Sequence, residues 1–167
     1  MRAVLSIGSN MDDRRALLQT VFDEFAEETV AASPVYSTPP WGVEDQDEFL
    51  NAVLIVEVDS TPMELLRRGQ GLEQAAERVR VRHWGPRTLD VDIVQVDGIT
   101  SEDPELTLPH PFAHERAFVL VPWLAADPKA RLGDTAVADL IAGLDPHEVE
   151  QVKETLDFRL GFIDFAR

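Results

Sequence analysis

The chain of 167 residues contains no cysteine. Disulfides, zinc–thiolate sites and cysteine nucleophiles are therefore excluded. There is no apolar span long enough to cross a bilayer. The apolar run near the start, Ala3-Val4-Leu5, is broken at Ser6, too early for a signal peptide. A cytoplasmic protein with no membrane partner is expected. The glycine patterns of P-loop and Rossmann phosphate sites are missing, and no serine stands in a nucleophile-elbow context. Positive charge is scarce as well: 15 Lys and Arg face 31 Asp and Glu, for a net charge of −16 at pH 7 and a pI near 4.5. Such a balance argues against a nucleic-acid partner, which would need a basic face. It is also an ordinary route to solubility.

What is present is a chain that is 44% hydrophobic. That length and composition suit one domain spanning residues 1–167 with a substantial core. Its few cations are concentrated, since Arg67, Arg68, Arg78, Arg80, Arg82 and Arg87 fall within one short stretch.

Ala3–Ile7 reads as a buried strand, with a turn at Gly8-Ser9-Asn10 and Asp12 or Asp13 capping the first helix. Leu17, Leu18, Val21, Phe22 and Phe25 recur at helical spacing, which predicts that helix over about 13–27. Val30–Tyr36 is a second strand. Ser37–Gly42 is irregular, because two prolines and a glycine block regular structure. Phe49–Val58 is a third strand. Thr61-Pro62-Met63-Glu64 combines a capping box with a first-turn proline, and the helix it starts runs to about Glu77. Residues 78–88 form a loop, Leu89–Val96 a fourth strand, and Asp97-Gly98 a hairpin turn. Leu106–Leu108 is a short extended piece. Helices are expected over Glu115–Ala126, with Pro122 inside, over Val137–Ala142, and from His147 to about Phe158. The order strand-helix-strand-strand-helix-strand predicts an α+β, ferredoxin-like fold: an antiparallel sheet, helices on both sides, and a mixed C-terminal part.

Three constellations carry chemistry. Asp90 and Asp92, two apart on a strand, share one face about 6.6 Å apart. They suit Mg²⁺, although the pair taken alone fits a solvated strand face better. Arg87 lies three residues before Asp90, while Arg78, Arg80 and Arg82 alternate after a helix end. These arginines fit a phosphate clamp or a plain solvated run. Phe49 and Asn51 share a strand face next to the proline-fixed Thr38–Gly42 loop, which suits a flat heterocycle but by itself fits a turn with a core Phe and a structural Asn more simply. His110 stands between prolines in Leu108-Pro109-His110-Pro111, with Arg116-Ala117-Phe118 beyond.

Together Ile7-Gly8-Ser9-Asn10, Ser37-Thr38-Pro39-Pro40, Phe49-Leu50-Asn51-Ala52, Arg78-Val79-Arg80, Trp84-Gly85-Pro86-Arg87-Thr88-Leu89-Asp90-Val91-Asp92 and Leu108-Pro109-His110-Pro111 resemble the 6-hydroxymethyl-7,8-dihydropterin pyrophosphokinase family over about residues 3–130. The resemblance implies ATP-dependent pyrophosphoryl transfer to the pterin hydroxymethyl group, releasing AMP, in folate biosynthesis. It implies that Asp90 and Asp92 ligate two Mg²⁺ ions. Gln70, Glu73, Arg80, Trp84, Arg87, Ile93, Thr107, His110 and Arg116 would contact ATP. Phe49 and Phe118 would sandwich the pterin, and Thr38, Pro39, Trp41 and Asn51 would bind its polar edge. Arg78 and Arg87 would join Asp90 and Asp92 in the catalytic assembly, and loops at about 8–13, 43–48 and 78–88 would close over ATP. A monomer is expected. Departures from the family pattern occur at Phe49, His83, Glu105 and Phe112, and three of them lower the positive charge near the triphosphate. A non-catalytic ferredoxin-like module that binds a nucleotide or a protein is the competing reading.

Overall fold

The computed structural model describes residues 1–10, 13–39, 48–79 and 89–155. Strand β1 (Arg2–Ser9) is buried at every residue but its first, as a strand with neighbours on both edges and cover on both faces must be. Gly8 and Ser9 belong to this strand, not to the expected turn. Helix α1 (Arg14–Phe25) turns Leu18, Val21, Phe22 and Phe25 inward. Asp13 at its N-cap position makes no side-chain cap, and Asp12 lies outside the described residues. The single strand expected at 30–36 is instead two, β2 (Thr29–Ala32) and β3 (Tyr36–Thr38). Pro34, which has no N–H to give a ladder, lies in the break. Ser37 and Thr38, expected in an irregular stretch, are thus in a strand.

Strand β4 (Phe49–Glu57) and helix α2 (Pro62–Val79) follow. The capping box forms as expected: the Glu64 N–H donates to Thr61 Oγ1 at 3.1 Å, and the Thr61 N–H to Glu64 Oε1 at 2.9 Å. Strand β5 (Leu89–Val96) ends at a turn in which Gly98 has φ +74°, a left-handed conformation natural to glycine. A hairpin of β6 (Ser101–Asp103) and β7 (Leu106–Leu108) leads through a 3₁₀ turn at Ala113–Glu115 to α3 (Ala117–Ala126). The C-terminal part comprises β8 (Arg131–Leu132), β9 (Thr135–Ala136), α4 (Val137–Ala142), α5 (Pro146–Glu150) and β10 (Lys153–Glu154). The helix expected from His147 to Phe158 therefore stops at Glu150, and the chain turns into a strand. Residues 156–158 lie outside the described residues.

The main sheet runs β10-β3-β4-β1-β5, with β2 also on β4, and its pairings are antiparallel. Helices pack on both faces. Ile7, Leu54, Val91 and Ile93 meet α1 and α2 on one side, while Val4, Val53, Ile55 and Val94 meet Leu120 and Trp123 of α3 on the other. Gly69 lets α2 lie close to β5, because a Cβ there would stand 3.0 Å from Val91 Cγ1. The α3 face is covered only over part of its length. Further along it, strand alternation brings Ser6, Gly8, Asn51, Asp90 and Asp92 up beside α3, with no helix above them among the described residues.

Candidate active site

This uncovered end of the sheet is a cavity of about 380 Å³ lined by Ser6, Gly8, Thr38, Phe49, Asn51, Asp90, Asp92, Arg116 and Phe118. Four strands and the start of α3 contribute. Their registers explain the grouping, since Gly8 lies opposite both Asn51 and Asp90, Ser6 opposite Asp92, and Thr38 opposite Phe49. Asn51 is buried and donates from Nδ2 to Thr38 Oγ1 at 3.0 Å, which fixes the amide. A side chain at position 8 would collide with that amide, as a Cβ there would be 2.7 Å from Asn51 Oδ1.

Asp90 is exposed and Asp92 half-buried. Burial pushes the Asp92 carboxyl above its ordinary range, and the nearby Arg116 guanidinium pulls it back. Glu73, from α2, accepts the Val91 N–H at 2.8 Å. Burial raises its carboxyl too; the Val91 hydrogen bond opposes this, and the charges of Asp92 and Asp90 add to it. Three carboxylates at one strand thus concentrate negative charge where a cation would be favoured. Among the described residues no group of three His, Asp or Glu could enclose a metal alone. Mg²⁺ keeps waters and substrate oxygens beside one or two carboxylates, so the donor set of Asp90 and Asp92 fits it.

Other expected contacts sit around the open edge of β5. Val91 offers its N–H to Glu73, and the Val94 carbonyl accepts the His110 N–H at 2.8 Å. The Ile93 side chain is buried against the α1–α2 layer, and the residue lies opposite Leu5 of β1. His110 Nδ1 accepts the Phe112 N–H at 3.2 Å. Burial and then Arg116 lower the imidazole below its usual range, which favours its neutral form. The peptide bond before Pro109 is cis. Thr107 donates its hydroxyl to Asp103 O at 3.1 Å. Gln70 accepts from Arg67 Nη1 at 2.8 Å, and Arg67 Nη2 pairs with Glu105 at 2.7 Å, which joins α2 to the β6–β7 hairpin. Arg78 is exposed in the last turn of α2, and Pro39 follows β3 half-buried; neither lines the cavity. Arg80, Trp41, Trp84 and Arg87 lie outside the described residues, as do loops 43–47 and 80–88.

Ser6 and Gly8 were missed as cavity residues. Their signal was a break in the apolar run of β1 at every second position, in step with Asp90 and Asp92. The arginine cluster is also less free than its sequence suggests. Arg68 is spent on Glu28 and Glu24, at 2.5 and 2.7 Å, and Arg67 on Glu105.

Comparison with known proteins matches this arrangement to one family. A sequence model described as 7,8-dihydro-6-hydroxymethylpterin-pyrophosphokinase (HPPK) fits residues 4–128. The 2-amino-4-hydroxy-6-hydroxymethyldihydropteridine pyrophosphokinase of Mycobacterium tuberculosis is 47% identical over 167 aligned positions, covering 91% of this chain and 88% of that protein. The Methylorubrum extorquens protein of the same name is 42% identical, covering 91% of this chain and 99% of that protein. A solved Plasmodium falciparum HPPK-DHPS structure, the A437G variant with SDX-DHP, aligns with a TM-score of 0.66 at 14% identity, over 96% of this chain and 50% of that one. This chain spans half the length of that protein, and the likeness concerns the fold.

Proposed function

The chain belongs to the 7,8-dihydro-6-hydroxymethylpterin-pyrophosphokinase family, and we propose how its residues divide the work. The reaction is ATP-dependent pyrophosphoryl transfer to the hydroxymethyl group of 6-hydroxymethyl-7,8-dihydropterin, giving AMP and the pterin diphosphate, in folate biosynthesis. The observation that carries the assignment of roles is the convergence of two kinds of residue in one cavity: Thr38, Phe49, Asn51 and Phe118 beside Asp90, Asp92 and Arg116.

Phe49 and Phe118 offer ring faces to the flat pterin, which aromatic stacking favours. Asn51, held by Thr38, presents its amide to the polar edge of the heterocycle, and Gly8 keeps the floor low enough for that amide. Gln70, Glu73, Thr107, His110 and the Ile93 backbone flank ATP along the open edge of β5. Asp90 and Asp92 would hold two Mg²⁺ ions, which when bound offset the triphosphate's charge and that of the departing AMP oxygen. Arg116, beside Asp92, supplies a fixed cation of the same sign, and Arg78, Arg80, Trp84 and Arg87 complete the phosphate side. Chemistry of this kind asks the protein for alignment and charge balance more than for covalent participation.

The sheet order β3-β4-β1-β5 with crossing helices supports a ferredoxin-like description of a single 1–167 domain. A net charge of −16 opposes self-association, which supports a monomer. Incubation with ATP, Mg²⁺ and the hydroxymethyl pterin should give AMP and the pyrophosphorylated pterin in equal amounts. ADP as the nucleotide product would contradict the reading, and no turnover would leave the binding-module alternative standing.

A further inference from the structure

The family match stops at residue 128, yet the chain beyond it returns to the substrate cavity. A smaller hollow of about 170 Å³ shares Thr38, Arg116 and Phe118 with the main cavity, and Glu148 of α5 and Val152 stand on its other side. After Val152 the chain adds β10 to the outer edge of β3, with Lys153 opposite Ser37 and Glu154 opposite Tyr36. Thr155 then fastens the end twice: its N–H and its hydroxyl both donate to the Val35 carbonyl at 2.9 Å.

Strand β3 is three residues long. Its inner edge is paired with β4, and β10 occupies its outer edge. So short a strand gains little from its own ladder, and its order depends on what binds it from both sides. Thr38 is the last residue of β3 and the hydrogen-bond acceptor that aims Asn51 into the cavity. The fastening at Val35 lies three residues before Thr38 on the same short segment.

We propose that Val152–Thr155 is a positioning element for the pterin. It holds β3 in register, so that Thr38 keeps Asn51 aimed, and Val152 backs the hollow behind Phe118 and Arg116. This inference rests on reading the main cavity as the pterin site. It assigns the segment an effect on pterin binding and a smaller one on ATP, because of the described residues proposed for ATP Arg116 borders this hollow and the others lie across the sheet on or beside β5, α2 and β7.

The test is Thr155→Pro, which removes both donors while suiting an edge-strand backbone, set beside Thr155→Ser, which keeps both. Michaelis constants are measured for each substrate separately, with a thermal melt as a check on folding. Thr155→Pro should raise the pterin KM about tenfold, the order expected for losing two hydrogen bonds that fix a pocket. Its ATP KM should stay within about twofold, and Thr155→Ser should match wild type. A folded Thr155→Pro protein with an unchanged pterin KM overturns the proposal, as does a parallel rise in both constants. If Thr155→Pro does not fold, Thr155→Val, which keeps the N–H, should raise the pterin KM alone by about threefold; no change there overturns it too. Wild-type turnover separates the two claims, because its absence would sink the site assignment itself.

Discussion

Gly8 is where the cavity floor tolerates no side chain. Gly8→Ala would place a Cβ 2.7 Å from Asn51 Oδ1, and that amide is buried and already bonded to Thr38. The expected outcome is a pterin dissociation constant raised about tenfold or more with the fold intact, since a displaced amide forfeits its hydrogen bonds to the ligand; fluorescence titration with pterin checks it. Asp92→Ala removes a metal carboxylate. AMP formation should fall at least about 100-fold while the melting transition survives, in line with loss of a group that balances transition-state charge. Near-normal turnover would refute the metal assignment. Phe112 is exposed at 53%, yet its ring lies 5.6 Å from the Arg116 guanidinium, which also stands 5.7 Å from the Phe118 ring. Phe112→Ala should raise the ATP KM about two- to fivefold through a less ordered Arg116, and Phe112→Tyr should not, because an exposed cation–π contact is worth about 0.5–1 kcal/mol. Of these residues Asp92 was marked in the sequence by its pairing with Asp90, a pattern that alone also fits a solvated strand face and that gained a metal role through the family resemblance. Gly8 was read as a turn residue, because its role appears only when β1 is set in register between β4 and β5.

At the level of elements, strong local signals were read well and weak ones were not. The capping box and Pro62 placed the start of α2, and the apolar alternation of Leu89–Val96 placed β5 to the residue. The tail went wrong for a physical reason. Residues 151–155 carry no pattern of their own, and what makes β10 a strand is the free edge of β3, a partner more than 110 residues earlier. Propensity yields to pairing in such a segment. The arginine-rich stretch misled in a related way, because sequence proximity hid partners on another helix. Arg68 donates to Glu24 and Glu28 of the α1 end and stacks 4.3 Å over Phe25, so it ties α2 to α1. Its hydrogen bonds to the Glu28 carboxylate in particular hold its charge in place. Arg68→Ala should lower stability by about 1–2 kcal/mol, discounted for partial exposure, and the loss should shrink in high salt. Urea unfolding at two ionic strengths measures it, and KM values for both substrates should be unaffected.

For the molecule as a whole, the question is how a chain of net charge −16 captures a polyanion. The fold sharpens the problem, since it sets Asp90, Asp92 and Glu73 together at one end of the sheet and spends Arg67 and Arg68 on carboxylates elsewhere. Among the described residues the cation lining the cavity is Arg116. At an ionic strength of about 0.01 M the screening length is about 30 Å, so approaching ATP feels the whole acidic surface; at about 0.15 M it is about 8 Å, and only the site's own groups matter. Repulsion at a distance slows encounter, whereas contacts inside the site set the rate of escape. Raising salt over that range at constant free Mg²⁺ should therefore increase kcat/KM for ATP while leaving kcat nearly level, as steady-state assays at graded salt would record. A steady fall in kcat/KM would mean that the arginines at positions 80, 82 and 87 dominate the field ATP meets, and that local charge outweighs the acidic surface even from afar.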